Sequence, residues 1–162
     1  MLHLPRWVYT SICQHFVGKT NIKIISDWSS SDTEWPLVLV DDDSDIPNVN
    51  NLLLRMDGPY INEVSRGWYD IEVEINVLVS AYHSDIDYSA IHVGVGIAAA
   101  AFDGILIKKY GDDESLVGCL TLKNTPRSKD ERLNVHHFGQ IDKDLRLYQA
   151  CVVGSYCTQI EL

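Results

Sequence analysis

Glu72 and Glu74 stand two residues apart in a run of alternating apolar and polar residues. Two neighbouring carboxylates are the equipment of general acid–base chemistry. Catalytic carboxylates, however, face each other across a cleft from different elements. Residues two apart on a strand point the same way from one surface. The pair therefore reads as part of a solvated or partner-facing strand side. His136-His137 is the only adjacent histidine pair. On a strand its two rings point to opposite faces, so they cannot share a metal unaided, even with Asp142 nearby. His83, Asp85, Asp87 and His92 are metal-ligand types. With a helix starting at Asp85, residues 85 and 92 share an angular position but lie ~10 Å apart along its axis. The run Asp41, Asp42, Asp43, Ser44, Asp45 looks superficially like a calcium loop. It lacks the glycine at the sixth place, and Leu52 stands where the bidentate glutamate belongs. It reads as a solvated acidic loop.

No serine sits in a G-x-S-x-G elbow, and Gly94 and Gly96 fall within a helix-like run where a phosphate cradle would need a strand-to-helix turn. Cys13, Cys119, Cys151 and Cys157 contain no C-x-x-C, and Cys151 and Cys157 are too far apart along one strand to bridge. They read as free thiols in a reducing compartment. No catalytic residue, metal or cofactor is expected.

At 162 residues the chain is long enough for one domain to bury a sizeable core. Lys plus Arg is 13 against Asp plus Glu 23, a formal charge of −10. That balance argues against phosphate-backbone binding as the main activity, which requires clustered cations. It suits a surface past which DNA slides without adhering. Tryptophans 7, 28, 35 and 68 and the eight tyrosines read as core and interface anchors, since stacking platforms for bases come with basic residues. The start, Met1 to Val17, lacks the pattern of a signal peptide. The longest apolar run, Ile86 to Phe102, is too short and too polar to span a bilayer. A soluble protein made in a cytoplasm is expected.

The elements that carry these residues follow from periodicity. Trp68 to Ser80 alternates with a period of two: Tyr69, Ile71, Val73, Ile75, Val77 and Val79 lie on one face. Asp70, Glu72, Glu74, Asn76 and Ser80 lie on the other, with only Leu78 out of step. This predicts a half-buried strand well beyond the usual ~5–6 residues. Leu147 to Leu162 predicts a second long strand, with Tyr148, Ala150, Val152, Gly154, Tyr156, Thr158, Ile160 and Leu162 on one face. Leu4, Val8, Ile12 and Phe16 recur at a spacing of four, predicting a short helix that stops at Gly18.

Asn21 to Trp28, Trp35 to Val40 and Asn51 to Asp57 read as strands, the last closed by a turn at Asp57-Gly58-Pro59. A long helix is expected from Asp85 to about Phe102, burying Tyr88, Ile91, Val95, Ala98, Ala99 and Phe102. Gly94 and Gly96 would let it lie close on the sheet. Ile105 to Lys109, Leu116 to Lys123 and Leu133 to Phe138 read as further strands. The expected architecture is α+β: a single domain over 1–162, with a mostly antiparallel sheet, one long helix and a short N-terminal helix packed on it. Residues 28–51 and 124–132 are loop excursions.

Four stretches carry a resemblance: RWVYTSICQHF, RMDGPYINEVSRGWYDIEVEINVLVSAY, IHVGVGIAAAAF and IDKDLRLYQACVVGSYCTQIEL. Their succession resembles the small virion proteins of tailed bacteriophages at the head–tail joint or tail end, of the tail-terminator and tail-completion sort. The Ser65 to Tyr69 lead into the Asp70 to Val79 strand carries most of the likeness. The resemblance implies a non-enzymatic, ring-forming subunit in the virion neck or tail, typically in six copies, which contacts other head, neck or tail proteins and is assembled in the host cytoplasm. DNA would pass through its lumen without specific binding, and no membrane is involved. Asp70, Glu72, Glu74 and Asn76 are then the interface or lumen candidates. The alternatives are a connector of a short-tailed phage, with twelve copies, and a small cytoplasmic ligand-binding or enzyme domain.

Overall fold

The computed structural model describes residues 2–20, 24–25, 32–33, 37–39, 50–82, 89–123 and 132–162. The chain opens with helix α1 (Leu4–Thr20), then strands β1 (Ile24–Ile25), β2 (Asp32–Thr33) and β3 (Leu37–Leu39). Two long strands follow, β4 (Asn51–Ser65) and β5 (Trp68–Ala81), and then helix α2 (Ser89–Ala100). Strands β6 (Ile105–Lys108), β7 (Leu116–Leu122), β8 (Asn134–Asp142) and β9 (Leu147–Glu161) complete it. The result is a mostly antiparallel sheet with two helices on one face. The large sheet runs β3-β4-β5-β9-β7-β6, and β8 also pairs with β9. Only the β3–β4 pair within it is parallel, among the described residues. β1 and β2 form a separate antiparallel pair.

β5 is where pattern and structure agree most closely. Tyr69, Ile71, Val73, Ile75, Val77 and Val79 are all buried, and each pairs with an inward residue of β9. Buried apolar side chains of this size contribute ~1.5–3 kcal/mol each, so a one-residue slip that exposed all six is strongly disfavoured. α1 lays Leu4, Val8, Ile12 and Phe16, all fully buried, into the same core. Phe16 meets Phe102 edge to face at 5.1 Å, and Phe102 stacks on Tyr156 at 6.3 Å. Gly154 makes room for this. A Cβ there would stand 2.8 Å from Phe102 Cδ1 and 2.9 Å from Leu122 Cδ1.

The helices differ from expectation. α2 covers only 12 residues, so the one long helix is not found. Its last turn tightens through bonds from the Ala101 and Phe102 amides to the Ala98 and Ala99 carbonyls, which closes the helix before Phe102. The expected start at Asp85, and Tyr88, lie outside the described residues. Ile91 and Ala98 are buried, as is Ile97, but Gly96 is exposed with open space around it, so it permits no close approach. Gly94 is buried.

α1 is the longer helix at 17 residues and runs through Gly18. Glycine costs ~1 kcal/mol in a helix, and contacts past it offset that: Thr20 is buried and donates to the Phe16 carbonyl at 2.6 Å, and Lys19 pairs with Asp103 at 3.2 Å.

The turn expected at Asp57-Gly58-Pro59 is instead a bulge inside the 15-residue β4. Asp57 pairs with Glu74 and Tyr60 with Glu72, so Gly58 and Pro59 face one residue of β5 and pairing resumes beyond them. Gly58 has φ +105, and the Gly58–Pro59 bond is cis. The real reversal is the two-residue link Arg66-Gly67, where Gly67 takes φ +79. The strands expected over 21–28 and 35–40 appear as Ile24–Ile25 and Leu37–Leu39, so the excursion 28–51 contains strand structure. The acidic run 41–45 and residues 124–131 lie outside the described residues.

Candidate functional site

Antiparallel register fixes what stands beside each candidate residue. On the sheet face turned away from the helices, Asp70 pairs with Asn62 and Gln159, Glu72 with Tyr60 and Cys157, Glu74 with Asp57 and Ser155, and Asn76 with Arg55 and Val153. All four predicted site residues therefore lie in one row on one face. Glu72 and Glu74 are exposed, while Asp70 and Asn76 are half-buried.

Three contacts organise this face. Lys123, just past β7, is held by a 2.7 Å bond from its amide to the Ser155 carbonyl, and its Nζ reaches Glu72 Oε1 at 2.8 Å. The Glu72 carboxylate raises the Lys123 ammonium pKa, partly opposed by desolvation. Gln159 Nε2 donates to Asp70 Oδ1 at 2.9 Å. The Tyr60 hydroxyl donates to Asp57 Oδ1, and that carboxylate holds the phenol above its usual range.

Shallow depressions flank the Glu72–Lys123 pair. One is bounded by Asp57, Tyr60, Glu74 and Ser155, the other by Asp70, Cys157 and Gln159.

The polarity of this face changes along the strands. Past Asn76 the row becomes Leu53, Leu78 and Cys151, with Leu53 and Cys151 buried. Cys151 Sγ lies 2.7 Å from Asn76 Oδ1, and Gln149 Nε2 donates to Ser80 Oγ at 3.0 Å. Burial pushes the Cys151 thiol above its ordinary 9.0, with the Asn76 bond opposing. Asn76 thus faces two ways, towards the carboxylates and towards this drier end. Carboxylates spread over a strand surface, with no facing wall among the described residues, offer charge and hydrogen-bond acceptors rather than a cleft for acid–base transfer.

The chain matches no protein-family model, and no curated protein is significantly similar to it in sequence.

The other candidates separate. His136 and His137 pair with Cys151 and Ala150, on opposite faces, and the His137 ring meets His92 at 5.2 Å. His83, Asp85 and Asp87 lie outside the described residues. Among the described residues no three His, Cys, Asp or Glu side chains gather closely enough to hold a metal ion. None of the four cysteines is in a disulfide. No helix among the described residues is long and apolar enough to cross a membrane.

Three residues of this face escape sequence reading. Asp57 and Tyr60 are hidden by a turn signal that proves to be a bulge. Lys123 comes from 51 residues away, and nothing local announces it.

Proposed function

We propose that this chain is a structural subunit of a tailed-phage virion, closing into a ring at the neck or tail end as a tail terminator or tail-completion protein. The ring has six copies. It contacts neighbouring head, neck or tail proteins, is assembled in the host cytoplasm and is not an enzyme.

The observation that supports this reading best is the carboxylate row Asp57, Asp70, Glu72 and Glu74 on the face away from both helices. Burying such charges without partners costs several kcal/mol per ion, so the face suits water or a polar channel. Lining a lumen, it repels a phosphate backbone and lets DNA pass without adhering. The resemblance of the Ser65 to Val79 stretch to phage head–tail proteins gives this surface its setting.

Native mass spectrometry of the purified chain, together with cryo-electron microscopy of the particle, tests the proposal. A closed hexamer and density for the chain at the neck or tail are expected. A twelve-copy ring would move the assignment to the connector of a short-tailed phage. A monomer, with no density in the particle, would overturn the reading in favour of a small ligand-binding or enzyme domain.

A further inference from the structure

We infer that two edges of the large sheet without a partner among the described strands, the outer edge of β8 and the stretch of β4 beyond β3, join one copy of this chain to the next. The inference rests on the ring-forming part of the proposed function and names the surfaces that close it.

β3 covers β4 only from Leu52 to Leu54, and no described strand pairs with the outer edge of β4 from residue 55 to Ser65. On the far side of the sheet β8 pairs with β9 alone, from Asn134 opposite Val153 to Asp142 opposite Leu147. Its other edge meets no described strand. An open edge presents a row of unpaired N–H and C=O groups, a template for another strand. Residues 135–141 of β8 are all exposed, yet Val135, Phe138 and Ile141 among them are 41%, 53% and 53% exposed large hydrophobics. The β4–β5 arm shows the same character at Tyr60, Val64 and Trp68. Exposed apolar side chains gathered on a free edge mark an interaction surface.

Direction, charge and offset point to a second copy as the occupant. β4 and β9 run the same way, with β5 and β8 opposed to them. β8 of one copy beside β4 of the next, with the sheets facing alike, therefore continues the antiparallel alternation. The arm is acidic, since Asp57, Glu63, Asp70, Glu72 and Glu74 outnumber Arg55 and Arg66. β8 and its flanks, residues 130–146, are closer to neutral, with Arg132, Lys143 and Arg146 against Asp130, Glu131, Asp142 and Asp144. Two acidic arms repel each other more than an arm repels this edge, which favours contact between unlike ends of the subunit over contact between two arms.

The offset supplies closure. β8 lies beside the first half of β9, level with Asn51 to Arg55 of β4, whereas the free part of β4 extends on to Ser65. The mismatch is about seven residues, or ~23 Å, against ~19 Å for the width of four strands. Successive copies joined at these edges are staggered, and the strands incline steeply to the ring axis. Closed barrels require such a stagger, with tilts of ~35–45°.

The test uses two full-length variants and sedimentation velocity. Phe138→Glu with Ile141→Glu sets carboxylates against the acidic arm. Tyr60→Glu with Val64→Glu replaces exposed apolar side chains of the other edge by carboxylates, so that the two altered edges also repel each other. All four side chains are more than 50% exposed or at 50%, and circular dichroism checks that both variants fold. If either does not, Phe138→Ser and Val64→Ser are read in the same way.

Each variant alone is expected to be monomeric. An equimolar mixture is expected to stop at a one-to-one dimer, because each partner contributes one intact edge. A ring that survives in either variant overturns the edge assignment while leaving the ring reading intact, as does a mixture that remains monomeric or grows beyond a dimer. A monomeric wild-type chain overturns both.

Discussion

Lys123 Nζ lies 2.8 Å from Glu72 Oε1, across β9 from the strand that carries the carboxylates. Glu72 is 64% exposed in its side chain and Lys123 40%, so water screens the pair strongly. Such pairs contribute ~0–1 kcal/mol. Glu72→Gln is therefore expected to shift the unfolding midpoint by no more than a few degrees, measured by thermal circular dichroism. A loss of several kcal/mol would show that the pair ties the end of β7 to β5 across β9.

The double variant Glu72→Lys with Glu74→Lys reverses two charges on exposed positions of the row. If the row lines a lumen as proposed, this variant is expected to fold and to impair DNA ejection or infectivity of a phage that carries it. Normal infectivity with normal folding would mean that the face is only solvated and lines no channel.

Gly154 is expected to tolerate no side chain. A Cβ would meet Phe102, Leu122 and Leu133 at 2.8, 2.9 and 3.0 Å. Each of these is part of the packed interior or leans on it. Overpacking of this kind costs ~1–3 kcal/mol. Gly154→Ala should lower the unfolding free energy by that amount, read as a lower urea midpoint with an unchanged slope. A neutral result would show that Phe102 shifts freely.

Tyr156 sets an alkaline limit. It is fully buried, and its hydroxyl donates to the Asp103 carbonyl at 2.9 Å. Burial first, then the Asp103 charge, pushes its phenol well above the ordinary 10.0. Above pH 10 the unfolded chain loses this proton while the folded chain keeps it, so the folded state binds more protons and stability falls as pH rises. Tyr156→Phe is expected to cost ~1 kcal/mol at neutral pH and to flatten the decline above pH 10, measured by urea titration at pH 8 and pH 10.5. An unchanged slope would place the alkaline sensitivity elsewhere.

The thiols should label in order of access. Cys119 is exposed, Cys157 half-buried, and Cys13 and Cys151 are buried, with the Cys151 thiol also raised by its burial. Only the thiolate attacks an alkylating agent. Mass spectrometry after iodoacetamide pulses should find Cys119 modified first, and Cys13 and Cys151 only on unfolding. Early labelling of Cys151 would mean that the drier end of the polar face opens readily.

Some of this was written locally. The two-residue alternation of β5 and β9 and the four-residue stripe of α1 predict elements because each records which face one element buries, and that demand is local. The row Asp70, Glu72, Glu74 and Asn76 is legible for the same reason. Partners and boundaries are another matter. Asp-Gly-Pro has the chemistry of a turn, and only pairing with β5 makes it a bulge. Gly18 has the chemistry of a stop, and only contacts of Lys19 and Thr20 carry the helix past it. Lys123 reaches Glu72 because β7 ends beside β9, a neighbourhood that no spacing in the chain encodes. The sequence by itself determined which residues face inward, since burial acts on each side chain where it stands. The tertiary structure alone decided which strands became neighbours, because that depends on where distant segments come to rest.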